Sequence, residues 1–365
     1  MEVGRPDFDI AIVGGGPAGA SAAITAARAG ARVALLEAGD FPRQKVCGEF
    51  VSAESLGVLS ELFRDHDHAQ LVIQDAPVIA QTRLFLGTRL VDAPVDPPAL
   101  SIPRYTLDAL LWEAAQHTGA CARSSCEVTA IDGDGPFTLT TSQGILTSSS
   151  VIQCTGRWSR FSGKASIPSG PKWIGLKAHF RERAALASTD LYFFDHGYCG
   201  VQPVASDAVN ACALIRSDCA TTLQEVFSLS PLLSSRALQW QPLMETVTTA
   251  PLFYRTPQPV RSNLLLAGDA AGFIDPFAGD GISIALRSGR AAARQLCRYV
   301  RGDLTLPEAA AAYQRDYDHQ FAPLIAAASR VRRLMSLPTF LHLPVFELMR
   351  LPGLIPYLIR KTRQA

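Results

Sequence analysis

The chain has 365 residues, 34 basic and 33 acidic side chains, and a formal charge of +1. That balance argues against a nucleic-acid binder, and 48% hydrophobic against 18% charged residues argues against general disorder. At roughly 100–200 residues per domain, the length predicts two domains or one large fold with an inserted lobe.

The cations are unevenly divided: only five are Lys (45, 164, 172, 177 and 361), and none lies between 46 and 163. The eight Cys (47, 121, 126, 154, 199, 212, 219 and 297) form no CxxC pair and no metal-ligand spacing, which reads as free thiols in a reducing compartment. No metal site is expected. A short polar leader runs straight into a strand without the pattern of a secretory signal. No uninterrupted apolar run reaches the length of about 18 residues that a spanning helix needs. The expected location is cytoplasmic.

Asp9 to Val13 reads as a buried parallel strand, followed by Gly14-Gly15-Gly16-Pro17-Ala18-Gly19. Ala20 to Ala29 is an Ala-rich helix closed by Gly30, and Arg32 to Leu36 is a second strand ending at Glu37. This is a βαβ unit of about 30 residues. Further along, a helix is expected over Leu107 to His117, and strands over Cys126 to Ile131, Phe137 to Thr141 and Leu146 to Gln153. Alternation over 172–218 predicts sheet, with strands at Lys172 to Phe180, Asp190 to Phe194, Gly200 to Val204 and Asn210 to Arg216. Asn263 to Ala267 is a buried strand, Ile282 to Arg298 a helix, and the tail is helical but broken by Pro338, Pro344, Pro352 and Pro356.

The glycines have separate physical tasks. Gly14 permits the tight turn after the strand, Gly16 lets the backbone approach a pyrophosphate, and Gly19 lets helix and strand pack closely. The helix N-terminus, from Pro17 and Ala18 onward, offers N–H groups and a partial positive charge to phosphates. Glu37, 18 residues after Gly19, is placed to accept from both ribose hydroxyls of an adenosine. Strand, glycines, helix, strand and acid fall in order, which points to dinucleotide binding.

Residues 263–282 read NLLLAGDAAGFIDPFAGDGI: a buried strand delivers Gly268-Asp269, then Pro276, then Gly279-Asp280-Gly281 opening a helix at Ile282. This resembles the C-terminal flavin motif of FAD proteins of the glutathione-reductase type, in the branch of p-hydroxybenzoate hydroxylase and geranylgeranyl reductase. The resemblance implies FAD, with Asp269 on the ribityl chain and Pro276 through Gly281 beside the isoalloxazine. The helix N-terminus would face the flavin end that gains negative charge on reduction. The fold class is then α/β. It would comprise a Rossmann-like FAD domain (1–160 plus 261–330), an inserted sheet-rich substrate lobe (161–260) and an apolar helical C-terminal segment (331–365).

Smaller features fit the same family. Arg104 lies in a segment resembling its R-x-x-L-D pattern, near the FAD phosphates or ribityl; capping of a surface helix is the other reading. Val128 falls where the family's strand passes the adenine. Cys154-Thr155-Gly156 resembles its A-T-G turn. Lys45-Val46-Cys47-Gly48 resembles the K-x-C-G segment of the geranylgeranyl reductase group, which lies beside the flavin. By that match Arg43 would neutralise FAD phosphate, and Cys47 and Gly48 would face the redox centre. Cys47 is otherwise a buried small hydrophobe. Glu49 is a candidate proton donor or substrate contact. His179 and Tyr198 are candidate substrate contacts on the lobe's sheet, with structural roles as the alternative.

Three departures separate the branch's chemistries. The D-G motif of the aromatic hydroxylases is replaced by Cys154-Thr155-Gly156-Arg157, without the Asp. The Lys that flavin halogenases carry some tens of residues after the first motif would fall in the Lys-free stretch 46–163. The Y-x-W-x-F-P segment of the geranylgeranyl reductases is matched by Tyr198 to Pro203, with Gly200 in the Trp position. The expected function is therefore reductase-like hydride transfer at flavin N5 to an apolar or aromatic small molecule. A monooxygenase acting through a flavin C4a-hydroperoxide is the alternative, and a halogenase or an electron-transfer flavoprotein comes further behind. NAD(P)H is a transient electron donor at most, since no second glycine motif exists. Residues 331–359, rich in Leu, Phe and Pro, are either capping helices or an apolar entrance that touches a membrane surface.

Overall fold

The computed structural model describes residues 5–157, 161, 172–183, 185–249, 251–252, 256–273, 279–326, 328, 344 and 346–348. Pro276 and nearly all of the expected 331–365 segment lie outside the described residues. In chain order the elements are β1 (Phe8–Val13), α1 (Pro17–Arg28), β2 (Val33–Leu36), β3 (Phe50–Val51), α2 (Ala53–Leu62), α3 (Asp67–Gln74), β4 (Val78–Leu86), β5 (Arg89–Ser101) and α4 (Arg104–His117). They continue with β6 (Cys121–Arg123), β7 (Val128–Asp132), β8 (Phe137–Thr141), β9 (Gly144–Gln153), β10 (Trp173–Arg181), β11 (Ser188–Phe194), β12 (Gly197–Ala205) and β13 (Ala208–Arg216). The remainder are α5 (Leu223–Ser228), α6 (Pro231–Ala237), β14 (Gln241–Pro242), β15 (Val247–Thr249), β16 (Val260–Arg261), β17 (Leu264–Leu266), α7 (Gly281–Val300) and α8 (Leu306–Gln320).

Two sheets organise the molecule. The first runs β16-β17-β9-β1-β2-β6, with β7 and β8 joined to β9. β1 lies between β2 and β9 and parallel to both, so its residues after Phe8 are all buried and Ile10 to Val13 read as an unbroken apolar run. Helix α1 is Ala-rich because it is crowded: a Cβ at Gly289 of α7 would stand 2.0 Å from the Ala18 carbonyl oxygen. The two helices therefore touch backbone to backbone near the start of α1.

The second sheet runs β14-β10-β13-β12-β11-β4-β5-β3, with β15 beside β10. It is antiparallel except for β11 against β4. It is not drawn from the 161–260 stretch alone, because β3, β4 and β5 come from residues 50–101. Strand alternation divides its faces. On β10, Leu176, Ala178 and Phe180 join an apolar core with Val226 and Phe227 of α5 and Leu233 of α6. Gly175, Lys177 and His179 point the opposite way, toward the first sheet and the space between the two layers. Among the described residues, no helix is long and apolar enough to cross a membrane.

Candidate functional site

A cavity of about 980 Å³ occupies that space. Its size is at the upper end of the roughly 300–1,000 Å³ usual for ligand pockets. One half is built from the ends of β1 and β2, the first turns of α1 and α7, and the turn Gly268–Ala270. The other half is floored by the inner face of the second sheet.

Two of the motif's glycines are confined by their neighbours. Gly14 has φ +107°, and a Cβ there would lie 2.3 Å from the Cys154 carbonyl oxygen. A Cβ on Gly19 would lie 1.7 Å from the Gly14 carbonyl oxygen, so helix and strand close only without it. Gly16 is different: nothing lies within 4 Å of its Cβ position, which opens on the cavity. Gly281, the first residue of α7, is equally open. Gly14, Gly16, Pro17 and Ala18 from the first motif line the cavity, as do Gly268, Asp269, Gly279, Gly281 and Ile282 from the second. Two helix N-termini thus face one space, a donor set suited to an anionic, elongated ligand.

Glu37, Val128 and Gly156 also line this half. The Glu37 carboxylate accepts from the Gly15 N–H at 2.8 Å and the Gly39 N–H at 3.0 Å, and Arg43 holds it at 2.6 and 2.8 Å. Burial pushes this carboxyl up, but Arg43 and the two N–H groups outweigh it and keep the acid below its ordinary range. Arg104, the first residue of α4, makes two 2.7 Å bonds to Asp108 and also lines the cavity. Asp269 faces the cavity with Arg157 at 3.7 Å. Its deep position pushes the carboxyl up, opposed by Arg157, Arg104 and Lys45.

Lys45, at the edge of the lysine-free stretch, lines the cavity with its surface open to it, and partial desolvation there followed by Arg43 lowers its pKa. Cys47, Gly48 and Glu49 line the wall where the two halves meet. Glu49 is buried with φ +63°, a left-handed conformation uncommon outside glycine. Its N–H points at the Cys47 sulfur at 3.3 Å, and its carboxylate accepts from the Arg104 N–H at 2.8 Å. Lys177 donates to the same carboxylate, and His179 Nε2 sits 2.8 Å from its other oxygen. Burial pushes the Glu49 carboxyl up, yet His179 and Lys177 hold it below its ordinary range. His179 is therefore turned to Glu49 rather than to the cavity surface. Tyr198 does line the cavity.

Sequence reasoning missed Lys177, Gln44 and Asn210. Lys177 also donates to Gln44 at 2.9 Å, and Asn210 donates to the Cys47 carbonyl at 2.9 Å. The available signal was polar residues spaced by two, Lys177 and His179, on a strand whose other face is apolar; buried cations need partners.

The sheet floor is graded. Register aligns His179 with Asn210 and Asn210 with Gln202, a polar row. Two residues along the strands, Lys177 aligns with Cys212, Cys212 with Gly200 and Gly200 with Leu191; the next row holds Leu214 and Tyr198. The floor becomes apolar away from Glu49.

A family model described as FAD dependent oxidoreductase matches residues 9–77. The menaquinone reductase of Mycobacterium tuberculosis (strain ATCC 25618 / H37Rv) is 27% identical, over 79% of this chain and 76% of its own length. These matches mark the chain as an FAD-dependent oxidoreductase, similar to proteins of the glutathione-reductase type. The oxidoreductase is also 24% identical to digeranylgeranylglycerophospholipid reductase 2 of Methanopyrus kandleri, over 90% of this chain and 87% of that one. It spans 63% of the length of conditioned medium factor receptor 1 of Dictyostelium discoideum, at 27% identity over 79% of itself. Its fold matches the flavin-dependent brominase Bmp2 with a TM-score of 0.79 at 21% identity, covering 97% of this chain and 93% of that one.

Proposed function

We propose that the oxidoreductase is a reductase that saturates a carbon–carbon double bond in an isoprenoid-bearing lipid. The glycine-rich half of the cavity would hold FAD: first-turn N–H groups of α1 on the diphosphate, Glu37 on the ribose, Val128 at the adenine and Asp269 on the ribityl chain. The open Cβ positions of Gly16 and Gly281 leave room for it. Bound and reduced, FAD supplies a hydride at N5; NAD(P)H is the transient donor that reduces it.

The observation that carries the reading is the Cys47 thiol at the junction of the two halves. Addition of hydride to one alkene carbon calls for a proton at the other. Burial pushes the thiol up and keeps it protonated, while Arg104 and the Glu49 N–H stand beside the sulfur and act in the opposite sense. The S–H bond breaks as the new C–H bond forms, and the thiolate left behind is held by those two donors. The second sheet binds the apolar part of the substrate on Leu84, Leu191 and Leu214, and Gly200 leaves its middle open. Menaquinone and digeranylgeranylglycerophospholipid, in the names of two relatives, both carry isoprenoid chains.

A second, oxygen-dependent reading, hydroxylation or halogenation, has one observation in its favour: Lys45 lines the cavity. The deciding experiment mixes anaerobically reduced holoenzyme with menaquinone or a geranylgeranyl lipid. Return of the oxidised flavin spectrum with a substrate gaining two hydrogens supports the reductase. Reoxidation only on admitting oxygen, with oxygen or halogen in the product, overturns it.

A further inference from the structure

Three side chains of the second sheet fasten the segment that carries Cys47: Asn210 to the Cys47 carbonyl, His179 to Glu49, and Lys177, which alone reaches both sides of Cys47. Lys177 is wholly buried on the inner face of β10, and its ammonium donates to Gln44 and to Glu49. Those partners stand three residues before and two residues after Cys47. Between them, Val46 lies against β10 at Gly175, where a Cβ would come within 2.8 Å of Val46 Cγ1. The Glu49 backbone is strained, and such a conformation persists only where its surroundings over-determine it. Here the Ile102 N–H donates to the Glu49 carbonyl at 3.0 Å, while Arg104, His179 and Lys177 secure its carboxylate.

From this geometry we infer that Lys177 is a positioning residue: it fixes the Gln44–Glu49 segment on the substrate sheet and so sets where the Cys47 sulfur stands. The inference rests on the reading of Cys47 as proton donor for its consequence, but not for its geometry. Stability alone does not require the pair, because replacing a buried ion pair by apolar residues of similar size is often neutral or stabilising.

The test compares holoenzyme variants Lys177→Met, Lys177→Arg and the double variant Lys177→Met/Glu49→Leu. Alkylation of Cys47 by iodoacetamide is followed against pH by peptide mass spectrometry, with the exposed Cys121 on β6 as internal reference. Lys177 and Glu49 act on the thiol with opposite sign, so the double variant removes both influences together, and a rate raised equally at every pH reports position rather than a shifted thiol. The double variant should melt near the native temperature, alkylate Cys47 about tenfold faster at every pH, and lose about 100-fold in kcat with KM little changed. Lys177→Arg should recover most of the native rate. A folded Lys177→Met or double variant with native Cys47 alkylation overturns the inference. Full turnover by Cys47→Ala would instead defeat the proton-donor reading and leave the alkylation result standing.

Discussion

Arg43 grips both oxygens of Glu37, at 2.6 and 2.8 Å, and the same carboxylate is the expected seat of the cofactor's ribose. A ribose hydroxyl must then share or displace the guanidinium, and Arg43 becomes free to meet the phosphates. Charge-assisted hydrogen bonds are worth about 1.5–3 kcal/mol, so Glu37→Gln should weaken FAD binding roughly 10- to 100-fold. Fluorescence titration of apoprotein with FAD measures this; an unchanged Kd would remove Glu37 from the ribose.

Stability should fall on the acid side through two named groups. Glu37 and Glu49 are buried, and burial alone would raise both, but Arg43 in one case and His179 with Lys177 in the other lower them. A carboxyl whose folded pKa is depressed stabilises fully above its unfolded value, about 4.3, and that stability is lost as pH falls through the lower folded value. Thermal melts between pH 3 and pH 7 should show a midpoint falling below about pH 4.3, with a shallower fall in Glu49→Gln. An equally steep fall in that variant would contradict the account.

Two glycines three residues apart should fail in opposite ways. A methyl at Gly19 meets the Gly14 carbonyl oxygen at 1.7 Å, so Gly19→Ala should cost about 4 kcal/mol or more and abolish soluble protein. A methyl at Gly16 meets nothing within 4 Å. Gly16→Ala apoprotein should melt like the native chain yet bind FAD at least tenfold more weakly, about 1.4 kcal/mol. Equal FAD affinity would mean the diphosphate lies elsewhere.

Gly200 sets the depth of the substrate floor. A Cβ there would stand 3.3 Å from Leu191 Cδ2 and 3.7 Å from the Cys212 carbonyl oxygen, a tight but tolerable fit. Gly200→Phe should keep the bound flavin spectrum while raising KM about tenfold or more, since a ring there fills the middle of the cavity. Loss of FAD with no change in KM would place the substrate away from the second sheet.

Much of the cofactor half was legible in sequence because its constraints are local. β1, α1 and β2 follow one another, and Gly14, Gly16 and Gly19 each answer to a neighbour or to the cavity within that unit. The hairpin of β4 and β5 was not read. Its two-residue turn at Gly87-Thr88, with Gly87 at φ +59°, and the alternating Val91, Ala93 and Val95 are sheet signals. Pro94, Pro97 and Pro98 obscured them. They are tolerated because β3 covers only Leu100 and Ser101, and the pairing with β4 is irregular between Ile79 and Gln81. The Lys177–Glu49–His179 cluster was hidden for a different reason: partners about 130 positions apart meet only through the packing of β10 against the 43–49 segment.

The backbone contact between Gly289 and Ala18 bears on how the cofactor is received. It locks α1 to α7, so the two helix N-termini that face the cavity stand at a fixed separation before any ligand arrives. The entropy of arranging those ends falls on folding rather than on binding. An extended cofactor then meets a rigid gauge with a set distance between its two anchor points. A flavin too short to meet both, such as FMN, is expected to bind more weakly than the full dinucleotide.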